Sequence, residues 1–342
     1  MTDNIIEIKD LHVTFEVRKK LTKKEKEAGI GNAVRAVDGV DLEFRRGEIM
    51  AVVGESGCGK TTLGKSILQL NRPSSGSIVY NGRDMGSLSK SELKELRSKL
   101  QMVFQDPYES LNPRQNVYQT LMEPLKIHRK DMPQEEKDKL IYDMMEKVGL
   151  KPVDIMSQRY PHHLSGGQRQ RLAIAATMIL KPEFVVADEP VSMLDVSIRA
   201  EIVRLLLDLQ KSNDITYMFI THDLSLAWVL ADRIAVFYLG KLMELGPADQ
   251  VVHQSAHPYT SALVSVIPKV ETEADDKKHV LEGETPSPLD MPEGCRFHTR
   301  CWYYKENGCP SVCREKQPEL VDFGEGHCAA CHFAKEVKEL SK

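Results

Sequence analysis

The stretch Gly54-Glu55-Ser56-Gly57-Cys58-Gly59-Lys60-Thr61 constrains this chain more than any other. It follows a short apolar strand, Glu48 to Val53, and opens a segment of helical spacing from about Lys60 to Leu70. Glycines so spaced let backbone N–H groups converge on phosphate oxygens, and the start of the following helix adds a favourable dipole. In such a phosphate-binding loop Lys60 is expected to bridge the β- and γ-phosphates of a nucleotide, and the Thr61 hydroxyl to ligate Mg²⁺. Cys58 reads as a small filler rather than a reactive thiol.

A second element complements the first. Phe184-Val185-Val186-Ala187 is a fully apolar strand that ends at Asp188-Glu189. Paired with a phosphate loop, Asp188 is expected to hold Mg²⁺ by way of water, and Glu189 to polarise an attacking water. Downstream, Val196 to Lys211 reads as a helix with Ile198, Ile202, Leu205, Leu206 and Leu209 on one face. Ile215 to Thr221 and Ile234 to Tyr238 read as strands, with helical Leu224 to Ala231 between them. Such alternation predicts an α/β fold with a mainly parallel sheet covered by helices. Near the start, Ile5 to Val17 and Val34 to Phe44 read as paired strands, with Lys19 to Gly31 as an exposed loop. Ser89 to Glu92 has the form of a capping box, Leu100 to Phe104 reads as a strand, and Pro113 to Tyr160 as a charged, Met-rich helical insert.

Composition narrows the function classes. A chain of 342 residues suggests two domains, and 41% apolar residues suffice for a sizeable core. The net charge of -4 weighs against a nucleic-acid binder. No apolar run of about 18 residues is present, and the first residues lack the pattern of a secretory signal. A cytoplasmic protein is therefore expected, whose membrane role would be peripheral and through partner proteins. Of seven cysteines, Cys58 stands alone and six lie between Cys295 and Cys331. In a reducing compartment these read as thiols or metal ligands before disulfides. Spacing alone favours a zinc ribbon, with Cys309 and Cys313 as one ligand pair and Cys328 and Cys331 as the other.

Leu164-Ser165-Gly166-Gly167-Gln168 resembles the signature motif of the ATP-binding-cassette family. Gln105 after its strand resembles that family's Q-loop glutamine, Ser192-Met193-Leu194-Asp195 its D-loop, and His222 its switch histidine. The resemblance implies a P-loop NTPase fold: a RecA-like core with an antiparallel β subdomain, a helical subdomain near 107–164, and a small Cys-rich C-terminal domain. Residues 1–268 would form the nucleotide-binding domain and 269–342 the Cys-rich one. Glu189, His222 and Gln105 are then the expected catalytic residues. ATP would be held by Phe15 (stacking on adenine), Gly54, Ser56, Gly57, Cys58, Gly59, Lys60, Thr61, Thr62 and Asp188. Ser165, Gly166, Gly167, Gln168 and Asp195 would serve the nucleotide of the opposite subunit. Mg²⁺ would be ligated by Thr61, Gln105 and Asp188.

Longer stretches are similar to the oligopeptide/dipeptide importer branch, in particular its second ATPase subunit. They are Val103-Phe104-Gln105-Asp106-Pro107-Tyr108 with Ser110-Leu111-Asn112-Pro113, Glu189-Pro190-Val191-Ser192 with Leu194-Asp195-Val196-Ser197, and His257-Pro258-Tyr259-Thr260. Met193 and Ala176 depart from the branch, where Ala and Arg are common. The branch implies ATP-driven uptake of di- or oligopeptides at the cytoplasmic face of the membrane. Its partners would be a paralogous ATPase (or a second copy in isolation), two permease subunits and, indirectly, an extracellular binding protein; no nucleic acid is expected. Residues Asp106 to Pro113 would receive a coupling helix of the permease. The branch's tail also implies a [4Fe–4S] cluster on Cys295, Cys301, Cys313 and Cys331, with Cys309 as the alternative to Cys313 and Zn²⁺ as the alternative metal. Importers of nickel or sugars, and cassette ATPases acting on nucleic acid or ribosomes, are the rival readings.

Overall fold

A computed structural model describes residues 3–17, 32–267, 279 and 281–341. The loop expected at Lys19 to Gly31 and the domain boundary expected at residues 268/269 lie outside the described residues. The chain divides into two compact units. One comprises Met1–Ile5, Phe44–Glu48 and Asn81–Met218; the other comprises Ile6–Glu43, Ile49–Tyr80 and Phe219–Lys342.

In the first unit, strand Leu100–Val103 pairs in parallel with strand Phe184–Asp188, Val103 lying opposite Ala187. The second strand is buried along its whole length, which explains its unbroken apolar run, since a strand covered on both faces has no polar side. Phe184 packs edge-on against Phe44 with ring centroids 5.2 Å apart. The expected helical insert is present as Val117–His128, Gln134–Lys147 and Val153–Ser157, with Leu121, Leu125, Ile141 and Met145 buried. Asn116 caps the first of these through a reciprocal box with Gln119. The box foreseen at Ser89 also forms and opens helix Lys90–Lys99. There the Ser89 hydroxyl and N–H, with Arg83, hold the Glu92 carboxyl down to about 2. Helix Val196–Asn213 buries Ile202, Leu205, Leu206 and Leu209.

The second unit is built on strand Ile49–Val53, fully buried and parallel to Arg233–Tyr238. Arg233–Tyr238 continues antiparallel into Lys241–Pro247, and the cysteine-rich segment adds to that edge, Glu244 pairing with Ala329 and Leu245 with Cys328. Strand Asn4–Glu16 pairs antiparallel with Ser75–Tyr80 from Ile6 onward. One apolar core joins Ala51 and Val53 of the central strand to Tyr238, Tyr259, Phe297 and Val337. The cysteine-rich segment therefore completes the core under the phosphate loop.

A buried polar knot pins that segment. The Glu244 carboxylate accepts from the N–H groups of Ala256 and His257 at 2.8 and 3.0 Å, and from His327 Nε2 at 2.8 Å. The Lys338 ammonium donates to His327 Nδ1 at 3.0 Å. An ammonium can only donate, so Nδ1 accepts and the ring proton sits on Nε2, facing Glu244. Glu244 and His327 are wholly buried. Glu244→Ala would strand three donors in the interior and is expected to lower stability by about 3 kcal/mol, read as a shifted urea midpoint. A midpoint equal to the wild type's would contradict that cost.

Candidate functional site

In the second unit the phosphate loop leaves strand Ile49–Val53 and enters helix Lys60–Ile67. Gly54 and Gly59 have φ of 151° and 103°, and a Cβ on either would come within 2.1 Å of Phe237 O or 2.0 Å of Ala36 O. Glycine is required at both by close backbone approach. Ser56 and Gly57 are exposed, Thr61 and Thr62 half-buried, and Lys60 buried. The Lys60 ammonium donates to the carbonyls of Gly54 and Glu55 at 2.7 and 2.9 Å and approaches Cys58 Sγ at 3.6 Å. It thus sits curled inside its own loop. Cys58 is buried, and burial pushes its thiol above the ordinary range even though Lys60 opposes the shift, as expected for a packing residue. His222 is exposed beyond strand Thr216–Thr221, before helix Leu224–Leu230, which Asp223 caps. Phe15 is 43% exposed on the first strand, outside the core.

In the first unit the parallel register does the positioning. Because Val103 faces Ala187, the residues two further along each strand, Gln105 and Glu189, come together. Gln105 Nε2 donates to Glu189 Oε2 at 3.2 Å. Asp188 is buried at the strand end, and Glu189 has φ of 43°, a left-handed conformation that is costly for a side-chain-bearing residue and concentrates at functional sites. Its carbonyl accepts from the N–H and hydroxyl of Ser192, which hold the turn. Ser165 is the N-cap of helix Gly166–Met178, its hydroxyl accepting from Gln168 N–H while Gln168 Oε1 accepts from Ser165 N–H. The motif Ser-Gly-Gly-Gln is thus a capping box that leaves the first helical N–H groups at a half-buried helix start. A Cβ on Gly167 would meet Ile198 at 2.9 Å. Asp195 is exposed ahead of helix Val196–Asn213 and makes no capping bond. Next to Gln105 lies a groove of about 360 Å³, lined by Phe104, Leu111, Gln115, Glu123 and Ala176 among others.

Cys295, Cys301, Cys313 and Cys331, each 8% exposed, line one cavity with His257 and Phe333. Cys295 N–H donates to the Cys313 carbonyl at 2.9 Å, and Cys301 and Cys331 sulfurs accept from Tyr304 and Phe333 N–H at 3.4 Å. Burial raises all four thiols, Cys295 to about 11 and Cys301 to about 12. Cys309 is exposed, and Cys328 lies on the strand beside Leu245. The pairing of Cys309 with Cys313 and of Cys328 with Cys331 expected of a zinc ribbon is therefore not assembled: one member of each pair stands outside the cavity. Among the described residues no three His, Cys, Asp or Glu side chains lie close enough to hold one metal ion. Sequence reasoning missed Arg296 and Arg300 beside two of these cysteines, and His257 on the cavity wall; arginines flanking buried cysteines were the available signal.

A phosphate loop on a strand-to-helix turn, with an acidic strand end and a capped Ser-Gly-Gly helix start, belongs to an ATP-hydrolysing cassette, and comparison with known proteins agrees. Residues 37–192 match the ABC transporter model, and residues 243–309 match the model for the oligopeptide/dipeptide transporter C-terminal region. A putative oligopeptide transport ATP-binding protein of Bacillus subtilis, YkfD, is 42% identical over 99% of this chain and 98% of its own. The di/tripeptide transport ATP-binding protein DppF of Pseudomonas aeruginosa is 43% identical over 98% and 99%. Among solved structures, cbiO1 of Clostridium perfringens, part of the ABC transporter complex cbiONQ, matches 73% of this chain and 90% of its own at 27% identity and a TM-score of 0.60. A dimeric ATP-binding cassette bound to ADP and Pi matches 71% and 98% at 26% identity and 0.61. The chain belongs to the family of oligopeptide/dipeptide transport ATP-binding proteins and is an ATPase of the ABC transporter class. No helix among the described residues is long and apolar enough to cross a membrane.

Burial ranks the thiols outside the cavity. Brief iodoacetamide treatment of the native protein is expected to label exposed Cys309 first and Cys58 only after unfolding, read by peptide mass spectrometry. Early labelling of Cys58 would contradict its packing role.

Proposed function

We propose that this chain is the ATP-hydrolysing subunit of a di- or oligopeptide importer. It would act at the cytoplasmic face of the membrane, with a paralogous ATPase, two permease subunits and, indirectly, an extracellular binding protein. The observation that carries this reading is end-to-end similarity, 42% over 340 residues, to a putative oligopeptide transport ATP-binding protein. The groove beside Gln105 supports it: Phe104, 41% exposed, and Leu111 line it and offer apolar surface to a permease helix. Lys60 and the loop N–H groups would take the phosphates, His222 would contact the γ-phosphate, Thr61, Gln105 and Asp188 would hold Mg²⁺, and Glu189 would orient the attacking water. Phe15 stacks on adenine. Ser165, Gly167 and Asp195 serve the nucleotide of the opposite subunit. The signature helix start suits that role, because its N–H groups and dipole favour anionic oxygen.

Glu189→Gln keeps the shape of the site and removes its base. With its permeases co-expressed, the variant is expected to bind ATP as the wild type does. Hydrolysis and uptake of a labelled dipeptide should both fall at least about 100-fold. Rapid turnover by the variant would overturn the role given to Glu189. Wild-type hydrolysis with no dipeptide uptake would overturn the cargo.

Cys295, Cys301, Cys313 and Cys331 are the proposed holders of a [4Fe–4S] cluster. A single tetrahedral zinc with bonds of about 2.3 Å needs its sulfurs roughly 3.8 Å apart; a polynuclear cluster takes four thiolates more widely spaced around one cavity. His257 supports the fit. Its Nδ1 accepts from Tyr259 N–H at 3.0 Å, so the proton is on Nε2, which meets no side-chain acceptor and has only the Ala330 backbone near it. Burial drives this ring to about 3 against the opposing Ala330 backbone. A neutral donor is thereby kept on the cavity wall, suited to a cluster sulfur. When bound, such a cluster supplies one-electron chemistry and a rigid cross-link. Anaerobically purified protein is expected to carry about four irons and four acid-labile sulfides per chain, as the cluster formula requires. Zinc without iron would overturn the assignment.

A further inference from the structure

A carboxylate is out of place in a loop built to receive phosphate, yet Glu55 is the second residue of that loop. Its charge is met from the cysteine-rich segment. Arg300 Nη1 donates to Glu55 Oε2 at 2.7 Å and Nη2 to Oε1 at 3.0 Å, a bidentate pair. The Arg300 side chain is 7% exposed and that of Glu55 24%. Arg300 is seated by further donation to the Glu282 carbonyl at 3.3 Å, the Thr285 hydroxyl at 3.3 Å and the Tyr238 hydroxyl at 3.4 Å. The loop backbone is gripped as well, since Glu55 N–H donates to the Tyr259 hydroxyl at 3.0 Å. Arg296, the other arginine beside a cavity cysteine, bonds to Asp38 and to the Leu239 carbonyl. Leu239 precedes Gly240, whose N–H donates to the Cys58 carbonyl at 2.9 Å.

We propose that Arg300 is a positioning residue of the ATP site: it cancels the Glu55 charge and fixes the loop, so that ATP meets a cradle free of unpaired negative charge. Burial would raise the Glu55 carboxyl, but hydrogen bonds from Arg300 and Thr285 and the charges of Arg300 and Lys60 hold it below its ordinary value. Glu55 therefore stays ionised at neutral pH, and without Arg300 its charge would stand within a few ångströms of the Lys60 loop. At that range, inside the Debye length of about 8 Å, salt does little to hide a like charge from a polyphosphate.

The full chain is compared as wild type, Arg300→Met, Arg300→Lys, Glu55→Gln and the double variant Glu55→Gln/Arg300→Met. The readouts are the ATP KM and kcat, and the Kd of a fluorescent ATP analogue. Arg300→Met is expected to raise KM and Kd about tenfold with kcat at saturating ATP within about twofold, the signature of lost ground-state binding. Arg300→Lys keeps the charge and should stay within about threefold of wild type. Adding Glu55→Gln to Arg300→Met should recover affinity to within about threefold, because the offending carboxylate is gone. A KM unchanged in Arg300→Met overturns the proposal, and so does a double variant as weak as the single one, which would mark Arg300 as packing only. Should Arg300→Met fail to fold, Glu55→Gln alone decides. ATP affinity equal to or tighter than wild type supports charge cancellation, and weaker binding overturns it.

Discussion

The backbone of the phosphate loop lies so close to its neighbours that a Cβ at Gly54 or Gly59 would come within 2.1 Å of Phe237 O or 2.0 Å of Ala36 O. Parallel pairing produces the first contact: Val53 lies opposite Val236, so the next residues, Gly54 and Phe237, face each other where the strands end. The second ties the start of helix Lys60–Ile67 to strand Ala33–Arg45. Loop, helix start and the Lys60 side chain are fixed together, because a loop clamped between backbones has little freedom to reorganise. Preorganised N–H groups are what phosphate recognition needs, since no ordering cost then falls on the binding step.

The first unit reaches a similar economy by register. Nothing local to Gln105 marks it as a partner of Glu189, 84 residues away. Once strands Leu100–Val103 and Phe184–Asp188 pair in parallel, the geometry brings the two together. Both strands, the helical insert and the faces of helix Val196–Asn213 were legible in the sequence, because buried parallel strands read as apolar runs and helices carry a 3.6-residue period. Strand Ser75–Tyr80 and the Lys241–Pro247 edge were not foreseen. The first begins Ser-Gly-Ser with both leading residues exposed, and the second carries the buried charge of Glu244, whose partners lie up to 83 residues on. Polar residues in strands become intelligible only when the group that satisfies them is known.

The cysteine-rich segment marks the limit of reading by spacing. Paired motifs such as Cys309-x3-Cys313 suggest neighbours, but Cys309 has φ of 56° and lies exposed while Cys313 is buried. The residues that share a cavity instead span Cys295 to Cys331, brought together by a short helix on Trp302–Glu306 and by the strand at Cys328–Ala329. Those four are the cysteines to which the resemblance assigned a cluster, but sharing a cavity does not show that they hold one. The difference is physical: long-range packing of Phe297 against Tyr238 and Tyr259, with centroids 5.4 and 5.2 Å apart, helps decide which cysteines line the cavity.

That same aromatic packing explains why the segment cannot be treated as an appendage. Tyr238 closes the strand beside the central one, Tyr259 receives the Glu55 N–H, and Phe297 sits between Cys295 and Cys301 in sequence. A displacement of the cysteine cavity would move Phe297, and in a close-packed interior Phe297 cannot move without Tyr238 and Tyr259. Both tyrosines reach the phosphate loop through hydrogen bonds, Tyr259 directly and Tyr238 through Arg300. Two routes of different chemistry, one apolar and one ionic, therefore join the cysteine cavity to the loop.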